Sequence, residues 1–316
     1  MDTAGQLDPG DVAALAARIG ENVSLAVKVP DDTLRDVLVA LLAEGHVLIE
    51  DHPGVGKTAL VRAIARSIDA AYARIQCTSD LLPSDVVGTN VFNQREARFE
   101  FRPGPVFANV VLVDEINRAP PKTQSGLLEC MQERHVTVDT ASHELARPFA
   151  VLATQNPVEY AGTYPLPENQ LDRFMVRVSL GYPSARREVE MLSEHATGDR
   201  VLALEPVASV ADVLAAQRAS IRVHTSEQLL HYVVSVLERI RGDPRVEFGA
   251  SPRAGLMLVK AAKARAALEG RDHALPDDVQ ELVPAVLAHR LLLSPAAADI
   301  ERAEVLADAL EKVPAL

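Results

Sequence analysis

Cysteine is almost absent from this 316-residue chain: Cys77 and Cys130 lie 53 positions apart, with no Cys or His neighbour at metal-ligand spacing. That argues against a disulfide framework or a cysteine-built metal cluster, and both thiols read as small buried hydrophobes. Long apolar runs are missing too. Uncharged apolar stretches such as Val37–Ala43 reach only about seven residues, too few to span a bilayer. An excess of positive charge is the third absence. The formal charge is −12, with 16 basic and 24 acidic residues over 1–180 and 16 and 20 over 181–316. Phosphate neutralisation supplies most of the affinity of a general nucleic-acid binder, so DNA or RNA is not expected as the main partner. The amino terminus, Met1-Asp2-Thr3-Ala4-Gly5, has no basic cluster ahead of an apolar stretch. The expected address is therefore cytoplasmic.

The length suits two domains or one large one, burying about 74% of the unfolded surface. Residues 8–28 and 31–44 read as amphipathic helices, the second opened by Pro30-Asp31-Asp32-Thr33 with acids suited to a helix N-terminus. Near-continuous apolar runs at 46–49, 73–77, 110–113 and 149–154 fit strands of a parallel sheet buried on both faces. Helical periodicity over 58–67 follows the first of them, so the first 180 residues read as α/β. After Gly181-Tyr182-Pro183 helical patterns dominate, at 184–195, 209–219, 225–241, 252–268, 277–292 and 295–312. Ser209–Asp212 and Thr225–Gln228 match capping boxes, and Gly242 and Gly270 stand where helices should stop. The expected division is an α/β domain at 1–183 and a helical domain at 184–316.

Between the first strand and its helix stands Glu50-Asp51-His52-Pro53-Gly54-Val55-Gly56-Lys57-Thr58-Ala59. Glycines let backbone N–H groups curl around a phosphate, Lys57 would reach its oxygens, Thr58 would ligate Mg²⁺, and the helix N-terminus adds partial positive charge. Pro53 to Ala59 are thus the candidate nucleotide-binding residues. Asp51 stands where the strict pattern has glycine. The plain alternative is an ordinary strand-to-helix turn. The strand at 110–113 ends in Asp114-Glu115, at the carboxyl edge where α/β sheets place ligands. Asp114 would hold the metal through water, and Glu115 would polarise the attacking water. Asn156, after the strand at 149–154, would lie beside the terminal phosphate, or is only a turn residue. Arg253 falls in the first turn of a helix, where a cation is unfavourable unless an anion offsets it; it is otherwise a surface arginine.

The run Asp114-Glu115-Ile116-Asn117-Arg118-Ala119-Pro120-Pro121-Lys122-Thr123-Gln124-Ser125 resembles the MoxR family of AAA+ ATPases. So do Ala153-Thr154-Gln155-Asn156-Pro157, Gln170-Leu171-Asp172-Arg173-Phe174 and Gly249-Ala250-Ser251-Pro252-Arg253-Ala254. The resemblance spans roughly residues 33–292. It implies a P-loop AAA+ domain with a helix-flanked parallel sheet, then a small all-helical lid. It also implies Mg²⁺-dependent ATP hydrolysis in a ring, usually a hexamer, and a protein client matured through a von Willebrand A domain adaptor. By position, Lys57 and Thr58 match the Walker A residues, Asp114 and Glu115 the Walker B pair, Asn156 the first sensor and Arg253 the second. Arg173 matches a finger acting on the neighbouring subunit's nucleotide, or else pairs with Asp172 or Glu168 on its own helix.

The family also carries two inserted hairpins. Asn90–Phe92 with Arg98–Phe101 alternates like the first, placing Phe99 and Phe101 on one face; His135–Asp139 with Glu144–Ala146 suits the second. Both would point toward the ring's pore or its client, unless the two rings pack into the core. The family's adenine-contacting segment is replaced by Val27-Lys28-Val29-Pro30-Asp31. Two other readings compete: a nucleic-acid motor, which wants basic hairpins such as Arg95, Arg98 and Arg102 supply in part, and a nucleotide-gated scaffold with little turnover.

Overall fold

The computed structural model describes residues 7–156, 163–182, 200–297 and 299–315. Helix α1 (Pro9–Ala26) opens with a reciprocal cap between Asp8 and Asp11, and α2 (Asp31–Leu42) follows. Strand β1 (Val47–Glu50), helix α3 (Lys57–Ser67), strand β2 (Tyr72–Gln76) and short helix α4 (Pro83–Val87) come next. Strands β3 (Gly88–Asn93) and β4 (Arg98–Pro103) form an antiparallel hairpin, with Phe92 opposite Phe99 and Asn90 opposite Phe101. After β5 (Val110–Asp114) and α5 (Pro121–Glu133), a second hairpin pairs β6 (His135–Val138) with β7 (Ala141–Glu144). Strand β8 (Ala150–Gln155), short helix α6 (Glu168–Leu171) and strand β9 (Val176–Val178) complete this half.

Five strands make one sheet in the order β2-β5-β8-β1-β9, and every pairing is parallel. Residues 110–113 are fully buried, as their unbroken apolar run requires between two helical layers. The parallel order puts the carboxyl ends of β1, β5 and β8 side by side.

The remaining elements are mainly helical: α7 (Val210–Arg222), α8 (Glu227–Arg241), α9 (Pro252–Leu268), α10 (Pro276–Leu287) and α11 (Arg302–Lys312). Ser209 and Asp212 form the expected box on α7, and Gly242 ends α8. Ser226, not Thr225, caps α8, its hydroxyl accepting from Leu229 N–H. Two strands too short to show alternation, β10 (Val246–Phe248) and β11 (Leu292–Leu293), form a small antiparallel ladder among these helices. The stretch expected as one helix over 295–312 is a 3₁₀ turn at Pro295–Ala297 and then α11. The helix expected at 184–195 and the boundary between 183 and 184 lie outside the described residues. Helix α9, rich in alanine, packs closely on α1, α7 and α10, so that α1, α2 and the carboxyl-terminal helices share one continuous core.

Candidate nucleotide site

The loop between β1 and α3 is shaped by two left-handed glycines, Gly54 at φ 85° and Gly56 at φ 97°. Both conformations cost a side chain dearly, and together they turn successive N–H groups inward ahead of the α3 N-terminus. Lys57 Nζ donates to Asp51 O at 2.7 Å, folding its side chain back over the loop. Asp51 faces away from the loop's mouth. Its buried carboxylate accepts from Leu180 N–H at 2.5 Å, Gly181 N–H at 2.9 Å and Ser179 Oγ at 3.1 Å, tying the loop to the end of β9. Beside this tie, His52 stacks on exposed Tyr182 with centroids 5.4 Å apart. Val27 is buried, and its Cγ1 stands 3.9 Å from where a Cβ on Gly56 would be, so the segment at 27–29 flanks the loop with aliphatic side chains.

Asp114 ends β5 on the same edge. Its Oδ1 accepts from Thr154 Oγ1 at 2.8 Å and its Oδ2 from Arg74 at 2.5 Å. Thr154, fully buried on β8, also accepts from Glu115 N–H at 2.8 Å, so one hydroxyl fixes both acids. Glu115 sits at φ 57°, a left-handed conformation unusual for glutamate and often retained at functional sites. Its carboxylate pairs with Arg118 at 2.9 Å. Asn156 is buried directly after β8, one strand over from both the loop and Asp114. The structure therefore brings Pro53 to Ala59, Asp114, Glu115 and Asn156 to one edge. Thr58 and Asp114 offer only oxygen donors, which suits a hard divalent cation such as Mg²⁺.

Arg173 and Arg253 are elsewhere. Val47 is level with Val176 in the parallel ladder, and Met175 N–H reaches His46 O, so Arg173 precedes β9 at the amino edge. That is roughly 10 Å or more along the strands from the phosphate loop. Its guanidinium donates to Leu128 O at 2.5 Å and borders an open hollow of about 530 Å³ with Glu129 and Glu133. Arg253 joins the same side: Ser251 Oγ lies 3.3 Å from the carboxylate of Asp172, and the charge of Arg253 is felt by Arg290. Buried Arg290 donates to Asp172 Oδ1 at 2.8 Å and to Phe174 O at 2.6 Å, fastening the α10 end to the start of β9.

Of the two hairpin rings, Phe99 is 69% exposed. Phe101 instead stacks on His143 of the second hairpin at 3.9 Å, and Asn90 Nδ2 donates to Asp139 Oδ2 at 2.6 Å, so the hairpins form one unit. Arg98 is paired with Glu96 and Glu100, which cancels much of the first hairpin's basic character. Thr154, Arg74, Arg290 and the Asp51 tie escape the sequence reading. Only Arg74-Ile75-Gln76 left a signal, an alternation of polar residues on a strand at the sheet's edge.

Residues 46–176 match the ATPase family associated with various cellular activities (AAA), and residues 238–309 match the AAA lid domain. The uncharacterized protein YeaC of Bacillus subtilis is 52% identical over 82% of this chain and 81% of its own. Chaperone MoxR1 of Mycobacterium tuberculosis is 40% identical over 92% of this chain and 81% of its own. The crystal structure of a candidate ATPase from Cytophaga hutchinsonii superposes with a TM-score of 0.91 at 36% identity, covering 98% of this chain and 97% of that one. Among the described residues, no helix is long and apolar enough to cross a membrane.

Proposed function

The chain belongs to the MoxR family of AAA+ ATPases, and from that premise we propose that it is a Mg²⁺-dependent ATPase that remodels or matures protein clients, working as a ring with the nucleotide between subunits. The observation that carries the reading is the split of the site residues between two edges of one sheet. Lys57, Thr58, Asp114, Glu115 and Asn156 share the carboxyl edge, whereas Arg173 and Arg253 flank the start of β9. A chain so built has a complete phosphate side and no arginine of its own at the terminal phosphate among these candidates. A second copy presenting its β9 face supplies both.

In this reading the loop N–H groups and Lys57 bind the phosphates, and Thr58 and Asp114 would hold Mg²⁺, which neutralises phosphate charge when bound. Glu115 takes the proton of the attacking water, with Asn156 orienting that water. Arg173 of the neighbour stabilises charge in the transition state, a contribution worth about 10³ to 10⁵ in rate for such fingers. The exposed Phe92 and Phe99 of the paired hairpins grip the client, through a von Willebrand A domain adaptor, in a ring of six. The name of the mycobacterial chaperone and the resemblance of the hairpins support this part. In this reading the nucleotide domain runs over 1–183 and the lid over 184–316.

The test is ATP hydrolysis per subunit over a wide protein concentration range, for the wild type, Glu115→Gln and Arg173→Ala. Specific activity should climb with concentration, and both variants should lose at least about 10²-fold while still binding ATP. Activity independent of concentration, with Arg173→Ala unaffected, removes the shared site.

A further inference from the structure

Both acids of the carboxyl edge are held by cations of their own chain, and the contacts form a line. Arg74 and Gln76 alternate on one face of β2, with Gln76 level with Asp114 in the parallel ladder. The Arg74 guanidinium donates to Asp114 Oδ2 at 2.5 Å and to Gln76 Oε1 at 2.7 Å. Gln76 passes its amide N–H to Glu115 Oε2 at 3.4 Å. Asp114 thus has one oxygen on a neutral hydroxyl, from Thr154, and one on a cation. The hydroxyl can stay while a hydrated metal approaches, because it brings no charge. The guanidinium cannot: like charges sharing one carboxylate oxygen in a half-sheltered edge repel strongly. The side chains also differ in freedom. Arg74 is 47% exposed and can swing to solvent, whereas Asp114 is 14% exposed and pinned by Thr154.

The geometry points to Arg74 as the resident cation of the metal position: it occupies Asp114 until a divalent ion arrives, and its departure frees Asp114 and the Gln76 amide oxygen while Glu115 stays paired with Arg118. Arg74 is a positioning residue. It sets the divalent-ion concentration at which Asp114 is freed. This rests on the Mg²⁺-ATP reading above.

The test uses Mn²⁺ as probe, with free Mn²⁺ read by electron paramagnetic resonance while the full chain is titrated in the presence of a non-hydrolysable ATP analogue. Arg74→Gln should lower the half-saturating Mn²⁺ concentration about threefold, the effect of removing one partly exposed charge pair. Arg74→Lys, which keeps the charge without the guanidinium's two-way reach, should fall between that variant and the wild type. Arg118→Gln removes the other cation of the edge, the one that pairs with Glu115, and should leave half-saturation within about 1.5-fold, a minor loss for an exposed pair. An unchanged or raised value in Arg74→Gln, a raised value in Arg74→Lys, or an equal fall in Arg118→Gln overturns the role of Arg74. Absence of Mn²⁺ binding by the wild type with the analogue overturns the Mg²⁺-ATP reading, and the role of Arg74 with it.

Discussion

Asp51 shows what a single residue can hide. It stands where the strict phosphate-loop pattern has glycine, yet it is 5% exposed and its carboxylate receives two backbone N–H groups and a hydroxyl from 179–181. Hydrogen bonds to a charged acceptor are each worth about 1.5–3 kcal/mol, and buried donors left without one are costly. Asp51→Ala should therefore destabilise the protein by about 3 kcal/mol, measured by urea unfolding. Asp51→Asn, whose amide oxygen still accepts, should lose about 1 kcal/mol. Equal stability of the alanine variant and the wild type would show that the tie contributes nothing. Legibility follows separation along the chain. Lys57, Thr58, Asp114 and Glu115 were readable because each motif is contiguous and its context is the next strand or helix. The partners of Asp51 are 128 to 130 positions away, and Thr154 meets Asp114 across 40. No local pattern encodes such pairings, which chain topology alone brings together.

At the scale of elements, the parallel strands were legible because burial on both faces demands unbroken apolar runs, and α9 because Ser251-Pro252 opens it and Gly270 follows it. The β10–β11 ladder was not, since three and two residues cannot display a period. The first hairpin was legible as a hairpin, and its alternation does put Phe99 and Phe101 on one face. Their surroundings were not legible, because the second hairpin covers one ring and leaves the other bare. This difference yields a paired prediction. Phe101→Ala, which removes a stack on His143 and an edge contact with Phe107 at 5.5 Å, should cost about 2 kcal/mol. Phe99→Ala, which loses an exposed edge contact with Phe92 at 5.3 Å, should cost less than about 1 kcal/mol. In the proposed function it should abolish client-stimulated turnover while leaving basal hydrolysis in place. Matched unfolding and ATPase assays separate the two, and a stability loss in Phe99→Ala as large as in Phe101→Ala contradicts the assignment.

The whole molecule is held by contacts within and between its halves, and several of them titrate. His46, buried between β1 and α5, accepts Val151 N–H at Nδ1 and meets Met131 O at Nε2, so its ring is neutral with the proton on Nε2. Burial, with Arg134 adding to it, pulls its pKa down from 6.5 to about 4. His289, beside Arg290 at the lid's junction with β9, is likewise pulled well below its ordinary value by burial first and by Arg290 second. For a histidine whose folded pKa is lowered, the stabilising contribution is complete above the unfolded value. It is lost as pH falls from about 6.5 toward 4, because only the unfolded chain takes up the proton there. For His46 each pH unit in that window removes about 1.4 kcal/mol. Asp36, on α2 facing Arg265 and Glu281, opposes this: burial pushes its carboxyl up to about 6. The folded chain keeps that proton from about pH 4 to 6 while the unfolded chain releases it, so this group favours the fold more at acid pH. The two histidines act against one carboxyl, and the wild type should lose unfolding free energy between pH 7 and pH 5, with about 2 kcal/mol coming from His46. His46→Gln, which cannot titrate, should shrink that loss by about 2 kcal/mol. Asp36→Asn should enlarge it by about 1 kcal/mol, chiefly by raising stability at pH 7. Urea titrations of the three proteins at the two pH values decide the matter: a His46→Gln slope equal to that of the wild type removes His46 as the source, and a shallower slope in Asp36→Asn reverses the sign assigned to the carboxyl between α2 and the lid.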